Sequence, residues 1–195
     1  TRRSSDLVLT MNQSLTHGAL IAIVTFLFFM FAGLTDDIGK ILHKQNKGGL
    51  TPRNKLFLQI AISALPAIFV TISGQTYLNI GQFSIDLGYL YPIFVIIFMT
   101  GVSNAVNLTD GLDGLASSNF AIAMLAVTLI CIITKQTDLA IVSAATMGAC
   151  IAFLYFNRHP AKVFMGDTGS LALGGLLGVL SVIGKFELWI LLIGI

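Results

Sequence analysis

Six stretches of about 17–19 residues, none containing Asp, Glu, Lys or Arg, divide this 195-residue chain at residues 18–35, 56–74, 89–106, 117–134, 139–157 and 168–184. At 1.5 Å per residue each makes a helix of roughly 26–29 Å, enough to cross the hydrocarbon core of a bilayer. Backbone groups in lipid must bond one another, so these stretches are read as helices. Pro66 and Pro92 lie in or beside them and are tolerated there. Only 10% of the chain is charged against 55% hydrophobic, where a soluble domain carries about a quarter charged residues. The expected fold is therefore an all-α integral membrane protein: a polytopic transmembrane helix bundle of six full spans. Leu188–Ile195 reads as a partial seventh. Residues 1–195 form one membrane-embedded domain, read as an internal segment of a longer protein.

Between the second and third spans, Ile80, Phe83, Ile85 and Leu87 alternate around Gly81-Gln82. A Gly-X pair suits a type II′ turn, so a short external β-hairpin is expected there. Cys131 and Cys150 each lie within an apolar run and are read as small packing residues. His17 and His159 are isolated and His43 stands among basic residues. No two histidines have the spacing of a zinc site. A formal net charge of +2, with no basic stripe, argues against nucleic acid as a partner.

Five of the nine acidic residues fall at ends of alternate spans, which face one compartment. Asp36-Asp37 closes the first span. Two adjacent carboxylates repel, and the pair calls for a cation; Lys40 stands one helical turn away. Asn107-Leu108-Thr109-Asp110-Gly111-Leu112-Asp113-Gly114 follows the third span. Asn107, Asp110 and Asp113 are three apart and share a face if the segment is helical. Asp167 opens the sixth span, either as a helix cap or as a ligand for a hard cation such as Mg²⁺. Gly174, Gly175 and Gly178 on that span are read as permitting close helix packing.

Lys40, Lys44, Lys47, Arg53, Lys55, Arg158 and Lys162 belong to the acid-bearing face, against Arg2, Arg3, Lys135 and Lys185 on the other. Seven against four places the acids on the cytoplasmic side of the membrane.

SNAVNLTDGLDGLA (Ser103–Ala116), the TDD of Thr35–Asp37 and FNRHPAKVFMGDTGSLALGG (Phe156–Gly175) together resemble the polyprenyl-phosphate N-acetylhexosamine-1-phosphate transferases. The resemblance runs from about Leu20 to the end of the chain. It implies a ten-helix bacterial plasma-membrane enzyme, of which this chain holds the third to eighth helices and the start of the ninth. An early TPTMGG motif and a late histidine-rich motif of that family are absent from this segment. Thr109 within NLTDGLDG, the SLALGG ending and the KGGLTPRNKL loop (Lys47–Leu56) favour the peptidoglycan branch. There, undecaprenyl phosphate and UDP-N-acetylmuramoyl-pentapeptide are the substrates, UMP is released, and Mg²⁺ is the cofactor. The resemblance also allows a homodimer.

Residue by residue, the resemblance makes Asp167 the magnesium-binding aspartate and Asp36 the group that takes a proton from the lipid phosphate, with Asp37 in support. Asn107, Asp110 and Asp113 become the cluster at the nucleotide and metal end. Asn104 and Phe164 contact the nucleoside, Phe164 by stacking on uracil, and Lys40 meets a phosphate as a point charge. Direct attack by the lipid phosphate is preferred over an aspartyl-phosphate intermediate. Two other readings stay open: a sister enzyme moving N-acetylglucosamine-1-phosphate to the same lipid, and an ion-coupled transporter. A prenyl-synthase DDxxD box fails because Lys40 occupies its last position.

Overall fold

The structure, a computed structural model, describes residues 17–42, 48–80 and 83–193. Seven helices and one hairpin follow in order: α1 His17–Leu42, α2 Pro52–Ile72, β1 Tyr77–Ile80, β2 Phe83–Asp86, a 3₁₀ turn Gly88–Leu90, α3 Tyr91–Thr109, α4 Leu115–Ile133, α5 Thr137–Asn157, α6 Gly166–Gly184 and α7 Glu187–Ile193. Six of these, the 3₁₀ turn counted with α3, are long and apolar enough to cross a membrane. The protein is an all-α polytopic bundle carrying a small hairpin.

Helix α6 is the centre. It packs against α1 and α3 most extensively, and α2, α4 and α7 also touch it. Fourteen of its nineteen residues are buried. Close approach explains its glycines. A methyl at Gly174 would meet the Ser103 backbone of α3, one at Gly175 the Phe29 ring of α1, and one at Gly178 the Met99 side chain of α3. Helices α4 and α5 pair as an antiparallel hairpin, joined within the bundle by Thr128 and Ser143, whose hydroxyls lie 2.9 Å apart. Cys131 and Cys150 are buried and free within that pair. Phe31, Ile68, Ile97, Ile122 and Ile141 are exposed on outer faces, as expected for side chains whose solvent is lipid.

Helix ends differ from the sequence reading where local chemistry overrides the apolar pattern. α2 starts at Pro52, four residues before the apolar run. Thr51 caps it by accepting from the Asn54 N–H at 3.3 Å, and proline at the first position fits. α1 runs on past residue 35 to Leu42, carrying Asp36, Asp37 and Lys40 on its last two turns. Pro66 sits inside α2 without ending it. The hairpin is antiparallel, pairing Tyr77 with Asp86 and Ile80 with Phe83. Gly81 and Gln82 lie outside the described residues, as do Arg2, Arg3, His43, Lys44 and Lys47.

Lys135 and Lys185 both adopt positive φ, 59° and 62°, at turns that end α4 and α6. Both turns line one cavity of about 940 Å³ with Gly18, Gln75 and Tyr77. That cavity marks the bundle end opposite Asp36, Asp37 and Asp167. Lys185 is held there by the Gln75 carbonyl at 2.7 Å and the Tyr91 hydroxyl at 2.6 Å. Tyr91 in turn donates to Glu187. Burial pushes the Lys185 ammonium down to about 8, against the opposing pull of Glu187.

Candidate active site

Asp36 and Asp37 are adjacent on α1, so their side chains diverge by about 100° around the helix. Asp36 turns inward and is 2% exposed. Its Oδ1 accepts the Leu50 N–H at 2.6 Å and its Oδ2 meets Lys40 Nζ at 2.6 Å. The 48–50 segment therefore lies over it as a strap. Asp37 turns toward the start of α6. It accepts the Thr168 N–H at 2.8 Å, the Thr168 hydroxyl at 2.6 Å and the Asp167 N–H at 3.3 Å. Those are the unpaired donors of a helix N-terminus, and a carboxylate there also meets the positive end of the helix dipole. Gly166 permits the approach: its φ is 65°, and a Cβ there would strike the Asp37 carboxylate.

Asp167 does not cap its own helix, since Asp37 does that work. The Asp167 carboxylate is left free to face α1, α2 and α3. Its Oδ2 takes Lys40 Nζ at 2.8 Å and Lys55 Nζ at 2.9 Å, and its Oδ1 takes Asn107 Nδ2 at 2.7 Å. Asn107 also reaches the Ser170 hydroxyl at 2.7 Å. Asp36, Asp37 and Asp167 each offer an oxygen within 4.8 Å of the others. Lys40 stands among all three, 3.9 Å from Asp37. Three carboxylates thus meet two ammonium groups. Asp110 borders the group: burial raises its carboxyl above the usual range, and Asp167 and Asp37 raise it further, while the Gly166 N–H opposes them.

The helical register expected for Asn107, Asp110 and Asp113 stops short. α3 ends at Thr109, Asp110 leaves the helical region at ψ 37°, and Gly114, just before α4, has φ 76°. Asp113 is swung away to the 158–161 loop, where its Oδ2 accepts the Ala161 N–H at 3.1 Å and contacts His159 Nδ1 at 3.0 Å. His159, read as isolated, is therefore paired. The same two loops are joined again by buried Asn157, which takes the Gly114 N–H and the Ser117 hydroxyl and donates to the Val163 carbonyl. Phe164 follows, 74% exposed, so its ring face is open for stacking. Asn104 turns into the α2–α3 interface against Gln59.

Lys55, Gln59, Asn157, Thr168 and Ser170 were not singled out in the sequence. Lys55 counted only as a loop charge. Its place in the first turn of α2, three residues after the Thr51-Pro52 start, was the one signal that it faces a neighbouring helix.

Between residues 19 and 185 the sequence matches the family described as "Glycosyl transferase family 4". Curated relatives named phospho-N-acetylmuramoyl-pentapeptide-transferase include one from Clostridium beijerinckii, 39% identical over 96% of this chain and 58% of its own length. One from Streptococcus gordonii is 44% identical over 89% and 54%, and one from Bacillus licheniformis 40% over 98% and 60%. The chain thus spans little more than half the length of the curated relatives it matches. That match takes in nearly all of α1 to α6 with Asp36, Asp37, Asp110, Asp113 and Asp167, and the chain belongs to glycosyl transferase family 4.

Proposed function

We propose that this chain forms the core of a bacterial enzyme that transfers phospho-N-acetylmuramoyl-pentapeptide from its UDP carrier to undecaprenyl phosphate, releasing UMP. The observation that carries the reading is the junction of Asp36, Asp37, Asp167, Lys40 and Lys55 at one end of the membrane-crossing helices, in a chain similar over most of its length to transferases of that name. Such a junction suits a lipid substrate and a soluble one that meet at the membrane edge. An apolar cavity of about 490 Å³ starts beside it at Thr109 and runs past Phe120 and Val127 to Leu177 and Trp189. Its lining fits a prenyl chain. Among the described residues Lys40, Arg53, Lys55, Arg158 and Lys162 stand at the acidic end, against Lys135 and Lys185 at the other, which supports a cytoplasmic site.

The site residues fit a hard divalent cation. Their donors are carboxylate oxygens converging within 4.8 Å, and the Lys40 ammonium already stands among them as a positive group. We assign Asp167 as the Mg²⁺ ligand with Asp36 and Asp37 beside it. When bound, the metal would neutralise charge on the transferring diphosphate. Lys40 and Lys55 place two more positive charges where those oxygens must gather, and this electrostatic help favours the transition state. Phe164 offers its ring to the uracil. Asp36 is enclosed by Leu50 and Lys40, so it orients Lys40 in the resting protein. A phosphate monoester is already a competent nucleophile, and we favour its direct attack on the donor.

Purified full-length protein in nanodiscs, given undecaprenyl phosphate and either UDP-N-acetylmuramoyl-pentapeptide or UDP-N-acetylglucosamine, tests the proposal. UMP release with the first donor and its loss in Asp167→Ala are expected. Release only with the second would overturn it.

A further inference from the structure

Gln59 of α2 and Asn104 of α3 form a reciprocal amide pair. Gln59 Nε2 donates to Asn104 Oδ1 at 3.3 Å, and Asn104 Nδ2 donates to Gln59 Oε1 at 2.9 Å. The second Asn104 N–H goes to the Thr100 carbonyl at 2.8 Å. Gln59 is 1% exposed, and both donor hydrogens of Asn104 are used. One turn farther from the site on each helix are Ser63 and Thr100, whose buried hydroxyls have no hydrogen-bond partner. At this level the amide pair supplies the directional bonds between α2 and α3.

Position along the two helices gives the pair its meaning. Lys55 precedes Gln59 by four residues and Asn107 follows Asn104 by three, so each lies one turn toward the site on the same face. These outer residues grip opposite oxygens of Asp167, Lys55 on Oδ2 at 2.9 Å and Asn107 on Oδ1 at 2.7 Å. We propose that Gln59 and Asn104 are a positioning pair, which sets the register of α2 against α3 and thereby holds Lys55 and Asn107 on the two oxygens of Asp167. A slip of one residue moves a helix about 1.5 Å along its axis and breaks both amide bonds. Asn104 acts through this pair and touches no nucleotide. The inference rests on the phosphotransfer reading above.

Amide pairs between membrane helices also serve as simple association glue, and nucleoside contact by Asn104 is the other alternative. Steady-state UMP release by the full-length protein in nanodiscs separates all three. The variants are Gln59→Met, Asn104→Leu, the double variant, and the exchange Gln59→Asn with Asn104→Gln, each with a melting temperature. Displacing catalytic groups by about 1 Å can cost up to a hundredfold. The expected result is a kcat loss of about ten- to a hundredfold in each single variant, with the double variant no worse. KM for the UDP-sugar stays within about twofold, and the exchange variant recovers most of the rate. A raised KM confined to Asn104→Leu would show nucleoside contact and overturn the proposal. Lower melting temperatures with kcat unchanged, or additive losses, would overturn it as well. Should single variants fail to fold, the exchange variant decides: near-native kcat supports the pair, and a folded but inactive protein refutes it. Wild-type protein that releases no UMP overturns the phosphotransfer reading, and this inference with it.

Discussion

Replacing Asp37 by Ala should destabilise the protein through α6, whether or not the residue has a part in chemistry. The carboxylate accepts two strong bonds from Thr168, at 2.8 and 2.6 Å, and a weaker one from the Asp167 N–H at 3.3 Å. Losing a side-chain cap costs about 0.5–2 kcal/mol. The charge on the helix N-terminus adds up to about 1 kcal/mol, and the Thr168 hydroxyl about as much again. Two effects reduce the sum. The Asp37 side chain is 25% exposed, so water replaces part of the bonding, and removing one carboxylate relieves repulsion among its neighbours. A net loss of about 2–3 kcal/mol remains. For a chain of this size it corresponds to a melting temperature lower by roughly 4–12 °C. Asp37→Asn keeps one acceptor and should fall between the two. Thermal unfolding of purified protein gives the size, and hydrogen exchange gives the place: amides at Asp167–Ser170 should exchange faster while the middle of α3 does not. Asp37→Ala with an unchanged melting temperature and unchanged exchange at the start of α6 would refute the capping argument.

Four other substitutions, one of them a control, probe separate parts of the structure. A methyl at Gly33 would overlap the Asp167 carbonyl and Thr168 Cα; Gly33→Ala should therefore lose about 1–3 kcal/mol in thermal unfolding. Gly148→Ala, with nothing within 4 Å of the added carbon, serves as its neutral control. Lys185 in the folded protein gives up its proton near pH 8, against 10.5 for a free lysine. Between those values the unfolded chain binds more protons, so stability rises with pH by about 3 kcal/mol across the window. Melting curves of Lys185→Met should lack that rise; equal pH slopes in the two proteins would count against it. Asp113→Ala should speed hydrogen exchange at Ala161 while costing less than about 1 kcal/mol, since its partner His159 is largely exposed.

The six spans could be read directly because lipid imposes one rule on each: a long apolar run with no charge. The continuation of α1 through Asp36 and Lys40 was less visible. Polar residues suggested a loop, yet the four-residue spacing that pairs Asp36 with Lys40 is a helical one. The turn after Thr109 misled in the opposite sense. Three-residue spacing placed Asp113 beside Asp110, but the helix ends at Thr109, Gly114 turns left-handed, and Asp113 goes to His159. Gln59 had no local mark, and Lys55 only its place in the first turn of α2. Each is defined by partners more than 40 positions away, and pairing at that range is settled by how α2 lies on α3. Asp167 was recognisable as either a cap or a ligand. The cap role fell to Asp37, which arrives from another helix to take the donors at the start of α6.

Why the acids stand at span ends follows from where hydrogen-bond donors exist. Inside a transmembrane helix every backbone N–H past the first turn is committed to its own helix, so a carboxylate at mid-membrane could find only side chains. Free N–H groups occur at helix starts and in loops, and those are the donors used here: Leu50 for Asp36, Thr168 and Asp167 for Asp37, and Ala161 for Asp113. Each bond joins two segments at least 14 positions apart in sequence. Asp36 fastens the 48–50 strap to α1, while Asp37 fastens α6 to the same helix from the next position. Their side chains, about 100° apart on that helix, need both neighbours in place at once. The contacts that make buried charge tolerable are therefore the ones that bring Lys40, Lys55 and Asp167 together, and the charged junction forms only when α1, α2 and α6 have docked.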